Sequence, residues 1–127
     1  MTDKTVAPTG LKRRSEFLFV RNGISQRRKT IVIQARQREE TDSVRMGFTA
    51  TKKIGNAVIR NRAKRRMRAA VQQLLPSLGL PGTDYVFISR ALTPHVEWQD
   101  LLDDIESALI TLRQRLTASP GKSIKDD

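Results

Sequence analysis

The sequence predicts an α+β domain, and three observations carry that prediction. Residues 44–51 alternate strictly, with Val44, Met46, Phe48 and Ala50 set against Arg45, Gly47, Thr49 and Thr51. That is the period of a strand with one face on a core. Residues 59–74 instead place Ile59, Ala63, Met67, Ala70 and Leu74 within an arc of about 80° at 100° per residue, which is the period of a helix. At 127 residues and 38% apolar content, without internal repeats, the chain suits one domain with a modest core.

Residues 1–10 carry Pro8 and Gly10 and no periodic pattern, so they are read as a mobile or extended lead-in. Residues 11–22 read as a short helix closed by Gly23 as a left-handed cap. Its apolar residues (Leu11, Phe17, Leu18, Phe19, Val20) lie on more than one side, so part of it packs or binds something. Residues 25–29 form a basic connector. Residues 30–36 are rich in β-branched side chains and predict a strand. After a turn at 39–43, it is expected to pair with 44–51 as an antiparallel hairpin. The central helix starts at Asn56, a favoured N-cap, and is expected to stop before Pro76. A Gly- and Pro-containing loop at 78–83 leads to 84–91, the most apolar strand. Pro94 is read as opening the last helix, whose Trp98, Leu102, Ile105, Leu109, Leu112 and Leu116 form one seam in steps of four and three. The domain so drawn spans 11–117, with a polar tail at 118–127.

Charge narrows the function. The chain carries 24 basic and 13 acidic residues, a net charge of +11, and no acid lies between Ser43 and Thr83. Residues 52–68 hold eight cations in seventeen positions. Such segregation calls for a nucleic acid or an anionic membrane. No apolar run approaches the ~20 residues of a spanning helix, and the basic helix lacks the aromatic and leucine face of an interfacial anchor. The N-terminus lacks the apolar stretch of a secretory signal. The absence of cysteine excludes disulfides, thiolate metal sites and a Cys nucleophile, and fits a reducing interior, with cytoplasm the expected location.

Side-chain catalysis finds no support. His95 is the single histidine, which excludes a two-histidine acid–base site. Asp100, Asp103, Asp104 and Glu106 invite a Mg²⁺ reading. They fall in the first turns of the last helix, however, where carboxylates complement the helix dipole and face water. No catalytic or metal-ligating residue is therefore assigned.

The run Lys52-Lys53-Ile54-Gly55-Asn56 joins a strand to a helix N-terminus, where free N–H groups favour an anion. An ordinary glycine turn fits the same residues, and the pattern leaves both open. The helix surface is more telling. Arg60, Asn61, Arg62, Lys64, Arg65 and Arg68 spread over the arc opposite the apolar stripe. A merely solvated face mixes signs, whereas like charges at i and i+4 (Arg60/Lys64, Lys64/Arg68) cost a few tenths of a kcal/mol each. A polyanionic ligand removes that cost. Arginine also grips phosphate bidentately, and Asn61 adds a directional amide.

Residues 45–68, with the Arg60-Asn61-Arg62 helix and its Lys-Lys-x-Gly-x-Ala-Val lead-in, resemble the signature of the bacterial ribonuclease P protein subunit. The Leu-Lys-Arg-Arg-Ser-Glu-Phe start and the Asp-Tyr-Val-Phe-Ile-Ser-Arg strand extend the resemblance over about residues 11–115. It implies a mixed four-stranded sheet with three helices, similar to the second domain of a small-subunit ribosomal protein, with a left-handed βαβ crossover. One further short strand is then expected, around Lys52. The implied role is to assist a catalytic RNA that removes the 5′ leader of precursor tRNA, with Mg²⁺ held mainly by the RNA. A monomeric protein in a 1:1 complex with that RNA is implied.

Carried over by position, Lys52, Lys53, Arg60, Asn61, Arg62, Lys64, Arg65 and Arg68 would contact the RNA subunit. Phe17, Arg21, Val32, Gln34, Thr49 and Thr51 are candidates for a leader cleft between the first helix and the sheet. Family members often carry a second aromatic four residues after the first. Here that position is Arg21, leaving Phe19 or Val20 as alternatives, and Phe17 also has a plain core reading. Three rival functions remain: a DNA-binding regulator, a ribosomal or RNA-chaperone protein, and a protein-only nuclease. The first requires a helix, not a strand, ahead of the basic helix.

Overall fold

A mixed sheet divides the molecule, and strand alternation decides what each face carries. The computed structural model describes residues 8–38 and 42–118. Its elements are β1 (Thr9–Gly10), α1 (Arg14–Arg21), β2 (Ile24–Arg27), β3 (Ile31–Gln37), β4 (Arg45–Thr49), a 3₁₀ turn (Lys52–Ile54), α2 (Ala57–Leu78), β5 (Thr83–Ser89) and α3 (Trp98–Ala118). The strand order is β1-β4-β5-β3-β2. β4 and β5 run parallel and are joined through α2, while β3 is antiparallel to both β5 and β2.

Residues in register share a face. Ile31, Ile33 and Ala35 stand opposite Ser89, Phe87 and Tyr85, and Phe48 stands opposite Phe87. These side chains meet Met67, Ala70, Val71 and Leu75 of α2 and Leu101, Ile105, Ala108, Leu109 and Leu112 of α3 in one core. Phe48 and Phe87 stack at 5.5 Å between centroids. The opposite face of the sheet carries Gln34, Gly47, Thr49, Val86 and Ile88 and meets α1. The α+β class and the three helices agree with the sequence reading.

Several local expectations need correcting. β3 and β4 do not form a hairpin, because β5 lies between them and pairs with both. β3 instead forms its hairpin with β2, which occupies the segment read as a basic connector. That strand hides in sequence because only Ile24 in Ile-Ser-Gln-Arg is apolar. It also supplies the strand expected near Lys52, where the chain makes a 3₁₀ turn. Thr9 and Gly10, read as lead-in, add two residues of β1 to the β4 edge, so the sheet has five strands.

Gly23 is not a left-handed cap, since the positive-φ glycines are Gly55 and Gly82. A Cβ at Gly23 would instead collide with the Ala35 carbonyl, so glycine there permits close approach to β3. Pro76 does not end α2 but sits in its last turn, where a missing N–H forfeits little more than one bond. Pro94 does not open α3. Residues 90–96 form a turn pinned to β3, with the Thr93 hydroxyl donating to the Thr30 carbonyl, and α3 begins at Trp98. Its seam includes Leu101 and Ala108, while Trp98, Leu102 and Leu116 lie at the margin. Asp104 does not simply face water, because it accepts bonds from the Thr30 N–H (3.2 Å) and hydroxyl (2.8 Å). Residues 1–7, 39–41 and 119–127, including most of the lead-in, turn and tail, lie outside the described residues.

Candidate nucleic-acid interface

The first half of α2 is a cationic ridge on a rigid mount. Asn56 caps it, its Oδ1 accepting from the Ile59 N–H at 3.0 Å. Gly55 precedes the cap with φ of 150°, a conformation that side chains rarely adopt, and a Cβ there would press on Ile59 at 3.0 Å. Arg60 Nη1 donates to the Gly55 carbonyl at 3.0 Å, bracing the turn against the helix. Beneath the ridge, Ala63, Met67 and Ala70 are fully buried. Lys52, Lys53, Asn61, Arg62, Arg65 and Arg68 are exposed, while Arg60 and Lys64 are half-buried.

Among the described residues, ion pairs join Arg38 to Asp84, and Arg45 to Asp84 and Glu16. None involves a cation of residues 52–68. The ridge is thus neither sequestered nor neutralised by the fold. Arg66 is the exception in kind: its guanidinium donates to the Val96 carbonyl and lies 5.8 Å from the centre of the Trp98 ring. Burial, and then the charge of Arg62, lower its pKa. Arg68 lies over the Phe48 ring at 5.3 Å yet remains exposed.

A groove of about 470 Å³ runs between α1 and the sheet. Arg14, Phe17, Leu18 and Arg21, at i, i+3, i+4 and i+7, form the helical wall, and Gln34, Thr49, Val86 and Ile88 form the floor, with Thr51 at one end. Five of the six candidates from the sequence thus converge. Val32 shares the face, in register with Ile88, but does not line the groove. Sequence reasoning missed Arg14, Leu18, Val86 and Ile88. The helical spacing around Phe17 and the even positions of β5 carried that information. The position four after Phe17 is filled by Arg21, which lines the groove. Phe19 turns away to meet Arg36, 4.2 Å from its ring centre, and Val20 is fully buried.

A matched charge network links the helical wall of the groove to the sheet. Asp84 is fully buried and accepts from Arg38 and from Arg45 Nε (2.9 Å) and Nη2 (2.7 Å). Arg45 continues to Glu16 at 3.2 Å, and Glu16 accepts the N–H groups of Lys12 (2.6 Å) and Arg13 (2.9 Å) at the start of α1. These two backbone bonds hold the Glu16 carboxyl below its ordinary pKa, and the hydrogen bonds that Arg45 donates to Asp84 raise that of Arg45. The helix wall is thereby tied to β4 and β5. Gly47 completes the fit, since a Cβ there would lie 2.5 Å from the Phe17 ring.

His95 is exposed in the 90–96 turn. Among the described residues, no group of three His, Cys, Asp or Glu side chains is placed to hold a metal ion, and no helix is long and apolar enough to cross a membrane. The exposed cations of α2 suit binding along a polyanion.

Comparison with known proteins identifies the family. The family model described as Ribonuclease P matches residues 7–113. A ribonuclease P protein component of Caulobacter vibrioides (strain NA1000 / CB15N) is 52% identical over 103 residues, covering 80% of this chain and 69% of the relative. One from Ruegeria pomeroyi is 46% identical over 102 residues, covering 78% and 82%. Among solved structures, a Staphylococcus aureus RNase P protein, a mutant with defective mRNA degradation activity, superposes with a TM-score of 0.71 at 25% identity. It covers 82% of this chain and 87% of that one.

Proposed function

This chain belongs to the Ribonuclease P family, and from that premise we propose that its ridge binds the catalytic RNA while its groove holds the 5′ leader of precursor tRNA. The carrying observation is the ridge: exposed cations on a buried apolar mount, none paired with an acid among the described residues. Phosphates of a folded RNA would supply the missing counter-charge. Lys52, Lys53, Arg60, Arg62, Lys64, Arg65 and Arg68 would neutralise backbone charge, and Asn61 would offer its amide to a sugar or base edge. The groove suits a single strand. Phe17 and Leu18 give apolar surface for unstacked bases, Arg14 and Arg21 face the backbone, and Gln34, Thr49 and Thr51 supply hydrogen bonds.

In this reading the RNA, with its Mg²⁺, hydrolyses the phosphodiester. The protein screens phosphate repulsion and orients the leader. A DNA-binding regulator fits less well, because α2 is preceded by β4 and a 3₁₀ turn in place of a helix-turn-helix. If about six phosphates are neutralised, log affinity falls with log salt at a slope of about −4 to −5.

Reconstitution tests the proposal. Precursor tRNA, catalytic RNA and low Mg²⁺ are combined with and without this chain. The expected result is faster leader removal with the chain, and a stronger preference for precursor over mature tRNA. No response of the RNA-catalysed reaction to the chain, or cleavage by the chain without RNA, would refute it.

A further inference from the structure

A second, smaller cavity of about 270 Å³ adjoins the groove at Phe17. Phe17 is the one side chain that lines both. The cavity opens at the sheet edge where β1 contributes only two residues beside β4. Met46 and Phe48 form its apolar floor, and Gly10 and Leu11 form one wall. The opposite wall is Lys64 and Arg68 from the ridge. A Cβ at Gly10 would meet nothing within 4 Å, so that wall is open.

We propose that this cavity accepts a single unpaired nucleotide of the catalytic RNA, its base against Phe17, Met46 and Phe48 and its phosphate on Lys64 and Arg68. The inference rests on the ridge being the surface that meets that RNA. Size points to one nucleotide: the volume falls just short of the roughly 300–1,000 Å³ of sites for whole drug-sized ligands. Chemistry points to a base with its phosphate, since aromatic and thioether surface accepts any π-face while flanking cations take the charge. Position points to the catalytic RNA and not the leader. Lys64 and Arg68 of its lining belong to the ridge, whereas no ridge cation lines the groove.

Methionine methyl resonances test this directly. The chain has 3 methionines, of which Met46 lines the cavity while Met67 is fully buried under the ridge. Catalytic RNA without substrate is expected to shift the Met46 methyl and leave Met67 in place. Gly10→Leu adds bulk at the open wall without a clash at Cβ, and is expected to weaken catalytic-RNA binding about tenfold, the worth of one stacked base. RNA binding with an unmoved Met46 methyl would overturn the cavity's role while leaving the ridge intact. A Met46 shift produced by precursor tRNA alone would assign the cavity to the leader and also overturn it. Failure of the wild-type chain to bind catalytic RNA at all would remove both this inference and the function on which it rests.

Discussion

Two sets of arginines in this molecule have the same chemistry and opposite surroundings. Arg38 and Arg45 converge on a carboxylate with 0% exposure, and Arg45 reaches on to Glu16. Arg62 and Arg65 stand exposed on α2 without an ion-pair partner among the described residues. A guanidinium matched inside the protein acts as a tie between elements, here holding α1 to the sheet. One left unmatched costs the helix a few tenths of a kcal/mol in repulsion and becomes useful when an anion arrives. The first set should therefore govern stability and the second affinity.

The largest expected effect breaks the matched set. Asp84→Ala leaves Arg38 and Arg45 beside an empty acceptor site, and removing one partner of a buried pair costs about 3–5 kcal/mol. The lower end applies, because Arg45 keeps Glu16 and Arg38 keeps the Ser43 carbonyl at 2.7 Å. Urea denaturation measures this, and a loss below ~1 kcal/mol would mean that the network does not hold the fold. Next comes the unmatched set. Replacing Arg60, Arg62 and Arg65 together by Ala should reduce the salt slope of RNA binding by about 2–3. Unfolding should change little, apart from the brace between Arg60 and the Gly55 carbonyl. A large drop in stability with an unchanged slope would reverse the assignment.

Arg66 sharpens the contrast within a single helix. It belongs to the same charge run, yet it donates to the Val96 carbonyl and packs on Trp98. Arg66→Ala should cost about 1–2 kcal/mol in stability and leave the salt slope nearly unaltered. Parallel salt titrations and denaturation curves separate the two outcomes.

This distinction marks the limit of what the sequence disclosed. The apolar stripe under the ridge was legible because Ala63, Met67 and Ala70 obey a local period, and so was the β4 alternation that brings Gly47 under Phe17. Roles set by distant partners were not. Nothing local to Arg45 separates it from Arg65, because Asp84 is 39 residues away along the chain and buried only once β4 and β5 are neighbours. The pairing of β3 failed for the same reason: adjacency in sequence suggested β4, and the actual partner arrives after a 22-residue helix. The groove was half visible, since Phe17 and Arg21 carry helical spacing, while Val86 and Ile88 read only as core strand.

The smallest effect concerns the outer end of the matched set. Glu16 is partly exposed, and its carboxyl is held below the ordinary value of 4.5 chiefly by the Arg13 and Lys12 N–H groups, with Arg45 adding charge. A depressed carboxylate stabilises the fold fully above its unfolded pKa, and that contribution is lost as pH falls through the folded one. Stability should therefore be level in Glu16's share from pH 7 to about 5 and decline below pH 4.5. Glu16→Gln keeps an acceptor for the backbone but carries no charge, so wild type and variant should differ near neutrality and converge in acid. Urea midpoints from pH 7 to pH 3 follow this. A gap that persists unchanged into acid would mean that Glu16 acts through its backbone bonds at the start of α1 and not through its charge, leaving the Arg45–Asp84 pair to join β4 to β5 alone.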